Sequence, residues 1–278
     1  MMSMTQAPVL AWFESRIVPV QTIAVKATDQ TFEHGLGLFE SMRGEAGKIP
    51  LWPHHKQRLM ESANELKLPI SLANMPEMKD LQRLIEHSGL SQSSARLRLT
   101  LTGGTPAEPC KIWVSCHPLG FVKTDGLILA DPFWPVDARD PLVCHKTLNY
   151  WLRRNAFEAA IAMGADESLS QDSQGNLWEG SRTALFLVKA GGLIAPPQAG
   201  PRLQSIAAEL LIDLIAHRDD LSITFQPITE QDLAEADEVV LANALRGILT
   251  VSQWRHHHFT SPGPVADTIR KAWQASTF

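Results

Sequence analysis

Residues 95–102, ARLRLTLT, alternate without a break: Ala95, Leu97, Leu99 and Leu101 fall on one side, Arg96, Arg98, Thr100 and Thr102 on the other. Successive side chains on a strand point to opposite faces, so this segment predicts a strand with one face in a core and one face polar. Such a strand needs a partner and a covering layer. Gly103-Gly104 ends it, and IWVSC at 112–116 supplies an apolar partner. Cover comes from helical spacing in HHKQRLMESANELK at 54–67, stopped by Leu68-Pro69. Met78, Leu81, Leu84 and Ile85 give a second helix behind Pro76, taken as its first residue. Ile17, Val18, Val20, Ile23 and Val25 mark short extended stretches within 8–26. These features predict a small α+β domain over 1–118.

A different texture begins near LILA at 127–130, with HPLGFVKTDG at 117–126 reading as a connection. The expected organisation is a domain over 1–118, a connection at 119–126 and a larger mixed α/β domain over 127–278. In the latter, a helix is expected from about 149 to 163 and a hairpin through Gln174-Gly175-Asn176. ALFLVKA at 184–190 turns at Gly191-Gly192 into LIAPP. SIAAELLIDLIAH at 205–217 reads as an amphipathic helix and EVVLAN at 238–243 as a strand. A chain of 278 residues with 44% apolar and 20% charged residues can bury two such cores.

Several function classes are set aside. A net charge of −5 gives no electrostatic footprint for nucleic acid or an anionic membrane. Cys110, Cys116 and Cys144 are odd in number and lack C-x-x-C spacing, which argues against a disulfide framework or a zinc site. The opening MMSMTQAPVLAWFESRIVPV has no basic n-region, and Glu14 and Arg16 interrupt it, so it does not read as a signal peptide. No apolar run approaches the ~18 residues of a membrane span. The cytoplasm is the expected compartment. Gly35-Leu36-Gly37 lacks the third glycine and the βαβ setting of a dinucleotide fingerprint. Three adjacent histidines, His256-His257-His258, cannot converge like spaced metal ligands, and no metal is expected. Arg96 and Arg98 share a polar strand face, where charges are usually solvated, although such a pair can also meet a carboxylate.

Two segments stand out chemically. VCHKTLNY at 143–150 reads as an apolar strand delivering Lys146 to its end, just before a helix, where partial desolvation disfavours the charged amine. LWEGSRT at 177–183 puts Glu179 beside Gly180 and Ser181 at the end of a hairpin strand. Spacing alone decides neither, because lysines at strand ends and glutamates beside glycines usually serve solvent and turns.

The order of four blocks is more specific. HGLGLFESMRG at 34–44 with HHKQRL at 54–59, HKTLNY at 145–150, GADESLSQDSQGNLWEGSRTALFLV at 164–188 and DLAEADEVVLANALRGILTV at 232–251 resemble, at matching separations, the class IV aminotransferases. These are fold type IV enzymes of pyridoxal 5′-phosphate (PLP), among them branched-chain and D-amino acid aminotransferases and aminodeoxychorismate lyase. The resemblance implies the two-domain fold of the D-amino acid aminotransferase type, PLP as cofactor and a homodimer. It makes Lys146 the lysine that holds the cofactor and shuttles the proton, and Glu179 the carboxylate facing the pyridine nitrogen. It makes Arg58 the phosphate-binding arginine, although Arg58 among His54, His55, Lys56 and Gln57 also suits a solvated helix. Tyr150, the only tyrosine, matches a partner of the ring's phenolic oxygen, or else packs on the next helix. Ser181 matches a residue orienting ring or phosphate.

The sequence also departs from the family. Where G-I-T-R or G-I-M-R is usual at the helix that cups the phosphate, this chain has Ser205-Ile206-Ala207-Ala208. The backbone N–H groups of Ile206 and Ala207 remain as phosphate contacts. Ala184 replaces a common Asn, and Ala244 replaces a Thr or Ser on the last phosphate loop. The expected reaction is amino transfer between an amino acid, branched-chain or D-, and a 2-oxo acid. Aminodeoxychorismate lyase, which releases pyruvate and 4-aminobenzoate, is the alternative, and a PLP-free binding protein on the same fold is a further one.

Overall fold

A computed structural model describes residues 8–121, 123–131 and 133–277. Of the residues read for a leader, 1–7 lie outside them, as does Val122 within the expected connection. The described residues divide into two units: those up to Gly120 together with Lys146–Asn149, and those of Phe121–His145 together with Tyr150 onward. Lys146–Asn149, expected in the second domain, thus belongs with the first.

The first unit is an antiparallel sheet of β1 (Leu10–Phe13), β2 (Arg16–Pro19), β3 (Gly37–Glu45), β4 (Ser94–Thr102) and β5 (Ile112–Pro118), in the order β2-β1-β5-β4-β3. Its helices are α1 (Gln30–His34), α2 (Trp52–Glu65) and α3 (Met78–His87). The apolar face expected at 95–102 is buried, Ala95, Leu97, Leu99 and Leu101 lying with Leu59, Leu81, Leu84 and Ile85 of α2 and α3. The strand is half-buried only in its first part, because Thr100 and Thr102 on the other face are buried as well. Pro76 is not the first helical residue. Glu77 is the N-cap, and its N–H donates to Asp80 Oδ2 at 2.9 Å, so the start follows the reciprocal cap.

β3 pairs with β4 along its whole length, Gly37 opposite Thr102 and Glu45 opposite Ser94. Period-two geometry puts Leu38, Glu40 and Met42 on the core face and Phe39, Ser41 and Arg43 on the other. Adjacent residues of one strand therefore carry two different clusters.

The second unit is built on a ten-stranded sheet. Its strands are β6 (Leu127–Leu129), β7 (Trp134–Pro135), β8 (Leu169–Gln171), β9 (Leu177–Gly180), β10 (Ala184–Lys189), β11 (Gly192–Ala195), β12 (Ile223–Phe225), β13 (Glu238–Asn243), β14 (Gly247–Trp254) and β15 (His257–His258). The main path runs β15-β14-β13-β10-β9-β8-β7; β11 pairs β10 and β12, and β6 pairs β14. Its helices are α4 (Trp151–Ala162), α5 (Ile206–Ala216), α6 (Glu230–Ala234) and α7 (Pro264–Thr277). β10 and β13 are buried on both faces, hence their near-continuous apolar runs. The hairpin through Gln174–Asn176 forms between β8 and β9. The next turn falls one residue earlier than expected, on Ala190 and Gly191 (φ 49° and 78°), because a two-residue hairpin needs two positive φ values.

No strand delivers Lys146. Asp140 Oδ1 accepts from Leu142 N at 2.8 Å and His145 N donates to Leu142 O at 3.0 Å, so Asp140-Pro141 turns the apolar segment instead. The helix expected from 149 begins at Trp151, with Tyr150 as its N-cap.

Candidate active site

In the first unit, Lys146–Asn149 lies against β3. Phe39 N donates to Lys146 O and Leu148 N to Gly37 O, each at 2.9 Å, and Thr147 bridges Leu38. This approach needs glycine at 37. Its φ is +134°, and a Cβ there would come within 2.5 Å of Leu101 O and 2.6 Å of Leu148 Cδ1. The Gly-x-Gly that failed as a nucleotide fingerprint thus has a local purpose. Lys146 Nζ stands 4.5 Å from the Phe39 ring centroid. Arg98, read as a solvated strand charge, is half-buried with its Cζ 3.9 Å from the same centroid.

On the opposite face of β3, Glu40 meets α2. Arg58 donates through Nε to Oε1 at 2.7 Å and through NH2 to Oε2 at 2.6 Å, a bidentate fork. His55 Nδ1 lies 2.7 Å from the same Oε2. Burial raises the Glu40 carboxyl, but Arg58 and His55 outweigh it and hold Glu40 well below the usual carboxylate range. Burial pushes His55 down despite the attraction of Glu40, favouring a neutral ring whose Nδ1–H donates. Arg58 is therefore no solvated helix residue: its side chain is 11% exposed and pinned. The His-x-x-Arg spacing, one helical turn, was the signal for this cluster, and the buried Glu40 was missed.

In the second unit, Glu179 is the last residue but one of β9. Oε1 accepts from Arg153 NH2 of α4 and from Leu203 N at 3.0 Å. Among the described residues nothing donates to Oε2. Burial works against the charge of Arg153, and Glu179 more than restores it. Neither Arg153 nor Leu203 was singled out from sequence. Tyr150 OH donates to Ser181 O at 3.1 Å. Burial pushes its phenol above the ordinary value, with Arg153 opposing and Glu179 reinforcing.

Ser181 is fully buried and serves a second carboxylate. Its N–H donates to Glu167 Oε1 at 3.0 Å and its hydroxyl donates to the same oxygen, while Thr183 Oγ1 donates to Oε2 at 3.2 Å. The Ser181 hydroxyl is thereby committed to Glu167.

At the start of α5, Ser205 Oγ accepts from Ala208 N at 3.3 Å, the ordinary N-cap bond. The residue replacing the family's glycine thus supplies a cap. Ile206 N and Ala207 N donate to no described residue, as the first amides of a helix do. Ala244 sits in the β13–β14 turn, where Asn243 Oδ1 accepts from Leu245 N at 3.1 Å and Arg246 N at 2.8 Å.

His257 stacks on Trp254 with centroids 5.6 Å apart. Among the described residues no group of three or more His, Cys, Asp or Glu side chains is arranged to hold a metal ion, and no helix is long and apolar enough to cross a membrane.

The amino-transferase class IV family profile matches residues 37–254. A Methanocaldococcus jannaschii protein provisionally named a branched-chain-amino-acid aminotransferase is 29% identical over 236 residues, covering 79% of this chain and 80% of that protein. The Thermoproteus uzoniensis branched-chain aminotransferase, solved with norvaline, superposes with a TM-score of 0.84 at 20% identity over 95% of this chain and 93% of its own. A Legionella pneumophila structure provisionally named 4-amino-4-deoxychorismate lyase superposes at 0.79, with 26% identity over 90% and 94%. The fold is the mixed α/β fold type IV of these enzymes. The chain belongs to the class IV aminotransferases and is an enzyme, which sets aside the cofactor-free binding protein.

The family's cofactor is PLP. Each unit by itself offers groups that fit it: in the first, a lysine on a pinned segment; in the second, a carboxylate with one oxygen, and two helix-start amides, that have no partner among the described residues.

Proposed function

We propose that this enzyme transfers an amino group from an amino acid to a 2-oxo acid, with PLP held by Lys146. The supporting observation is Glu179, whose Oε1 is fixed by Arg153 and Leu203 N while Oε2 has no donor among the described residues. An ionised carboxylate fixed at one oxygen can hold a pyridinium N–H at the other.

When bound, PLP supplies an aldehyde for the amino group and a protonated ring that withdraws electrons from the substrate's Cα. Lys146 Nζ holds the cofactor between turnovers and, once released, takes the Cα proton as general base. Arg58, oriented by Glu40, would hold the phosphate through its guanidinium charge, and Ile206 N, Ala207 N and the turn at Ala244 would serve as backbone contacts. Tyr150 would stand as the neighbour of the ring's phenolic oxygen. Ser181, bound to Glu167, fixes the backbone that follows Glu179. The substrates are small molecules, the amino acid branched-chain or D-configured, and the enzyme acts as a cytoplasmic homodimer.

A second reading, aminodeoxychorismate lyase, has one observation in its favour: Ala244 leaves the β13–β14 turn without the hydroxyl common in transaminases. Absorption spectra of the PLP-loaded protein with L- and D-amino acids and with aminodeoxychorismate separate the two. Conversion of the cofactor band by one amino acid, restored by a 2-oxo acid, is expected for the transaminase. A band that amino acids leave unchanged, with pyruvate released from aminodeoxychorismate, would reject it for the lyase.

A further inference from the structure

Two arginines of the second unit have no role in this scheme. Arg182 follows Ser181, and Arg246 lies in the β13–β14 turn. Both are partly buried. The Asn243 side chain holds both backbones: Nδ2 donates to Arg182 O at 3.3 Å, and Oδ1 accepts from Arg246 N at 2.8 Å. The Arg182 guanidinium lies on the Phe157 ring of α4, Cζ 3.3 Å from its centroid. Among the described residues neither guanidinium donates a hydrogen bond. That is unusual for half-buried groups with five donors each.

Burial disfavours both charges, and the two arginines lie near enough for Arg246 to disfavour that of Arg182 further. Glu167 attracts both, yet its oxygens already accept from Ser181 and Thr183. Asp166, which also attracts Arg246, is bound by Lys123 Nζ at 2.8 Å and Ile128 N at 2.9 Å. One buried carboxylate beside two cations leaves about one positive charge uncompensated, which a single monoanionic group would balance. Tyr150, one of the proposed cofactor residues, donates to the carbonyl of Ser181, immediately before Arg182.

We propose that Arg182 and Arg246, bracketed by Asn243, form an anion subsite that binds a carboxylate of the substrate. The assignment to substrate rests on the aminotransferase reading above; the anion subsite itself does not. A bidentate guanidinium recognises a planar carboxylate edge-on, and a second one beside it fixes its orientation.

Calorimetric titration of the purified protein with glutarate, a carboxylic acid that cannot be transaminated, tests this. Wild type is expected to bind it, and Arg182→Gln/Arg246→Gln to bind it about 10-fold or more weakly. Arg182→Lys and Arg246→Lys keep the charge without the fork and are expected to fall between. Circular dichroism verifies that each variant is folded, and a PLP absorbance titration is expected to give wild-type cofactor affinity. No glutarate binding by wild type, or equal binding by the double variant, overturns the subsite. Weakened PLP affinity in the variants, with inorganic phosphate displacing glutarate from wild type, overturns the carboxylate assignment in favour of a phosphate. Because glutarate is read without turnover, failure of the PLP reading is separable: it removes the cofactor band and leaves this titration intact.

Discussion

Glu40 in the first unit and Glu167 in the second are both buried carboxylates, held in opposite ways. Glu40 is bound by a cation and a ring nitrogen from helix α2. Glu167 is held by hydroxyls and amides of neighbouring loop residues, Ser168, Ser181 and Thr183. The first arrangement ties a helix to a strand through charge, so losing either partner strands the other in low dielectric. The second is hydrogen-bonded only by neutral donors and acts on Arg182 and Arg246 without a direct bond, so losing its charge strands no hydrogen-bonded partner.

The two neutral isosteres put this contrast at risk most directly. Glu40→Gln leaves Arg58 buried without its counter-charge and is expected to cost about 3–5 kcal/mol in denaturant unfolding, as is Arg58→Met, which strands Glu40. Glu167→Gln keeps an acceptor for Ser181 and is expected to cost only about 1 kcal/mol. Equal costs at the two sites would abolish the distinction.

Gly37→Ala comes next. The added methyl meets Leu101 O and Leu148 at a positive φ, an expected loss of about 1–3 kcal/mol. Because the same contact seats Lys146–Asn149, PLP uptake measured by absorbance should fall as well; wild-type uptake would show that the segment does not depend on that fit.

The smallest effect concerns pH. The folded pKa of His55 lies below its ordinary 6.5, so neutral His55 contributes stability that is complete above pH 6.5 and is lost as pH falls through the folded value. Glu40 contributes in the same direction but lower, below its ordinary 4.5. Melting temperatures between pH 7 and 5 should therefore fall in wild type. They should fall less in His55→Asn, which keeps a donor toward Glu40 without a titrating ring. Parallel curves would assign the acid sensitivity elsewhere.

Much of the fold was legible because burial writes its period into the chain. The alternation at 95–102 and the helical spacing at 78–85 state which face is covered. What misled was local. VCHK looked like a strand, yet Asp140-Pro141 turns it, and that turn rests on a side-chain bond that apolar content does not reveal. The candidate site was legible as residue types in ordered blocks, but not as partnerships. Nothing in the spacing pairs Glu40 with Arg58 across 18 positions, Glu179 with Arg153 across 26 or Ser181 with Glu167 across 14. Those depend on how strands and helices pack, and packing carries no one-dimensional period.

The central claim is that Lys146 carries the cofactor, and reduction of the PLP-loaded protein with borohydride followed by peptide mapping tests it most directly. The account predicts a pyridoxyl-phosphate adduct on the peptide containing Lys146, absent from Lys146→Ala. An adduct on another lysine, or none in a protein that retains the cofactor, would contradict it.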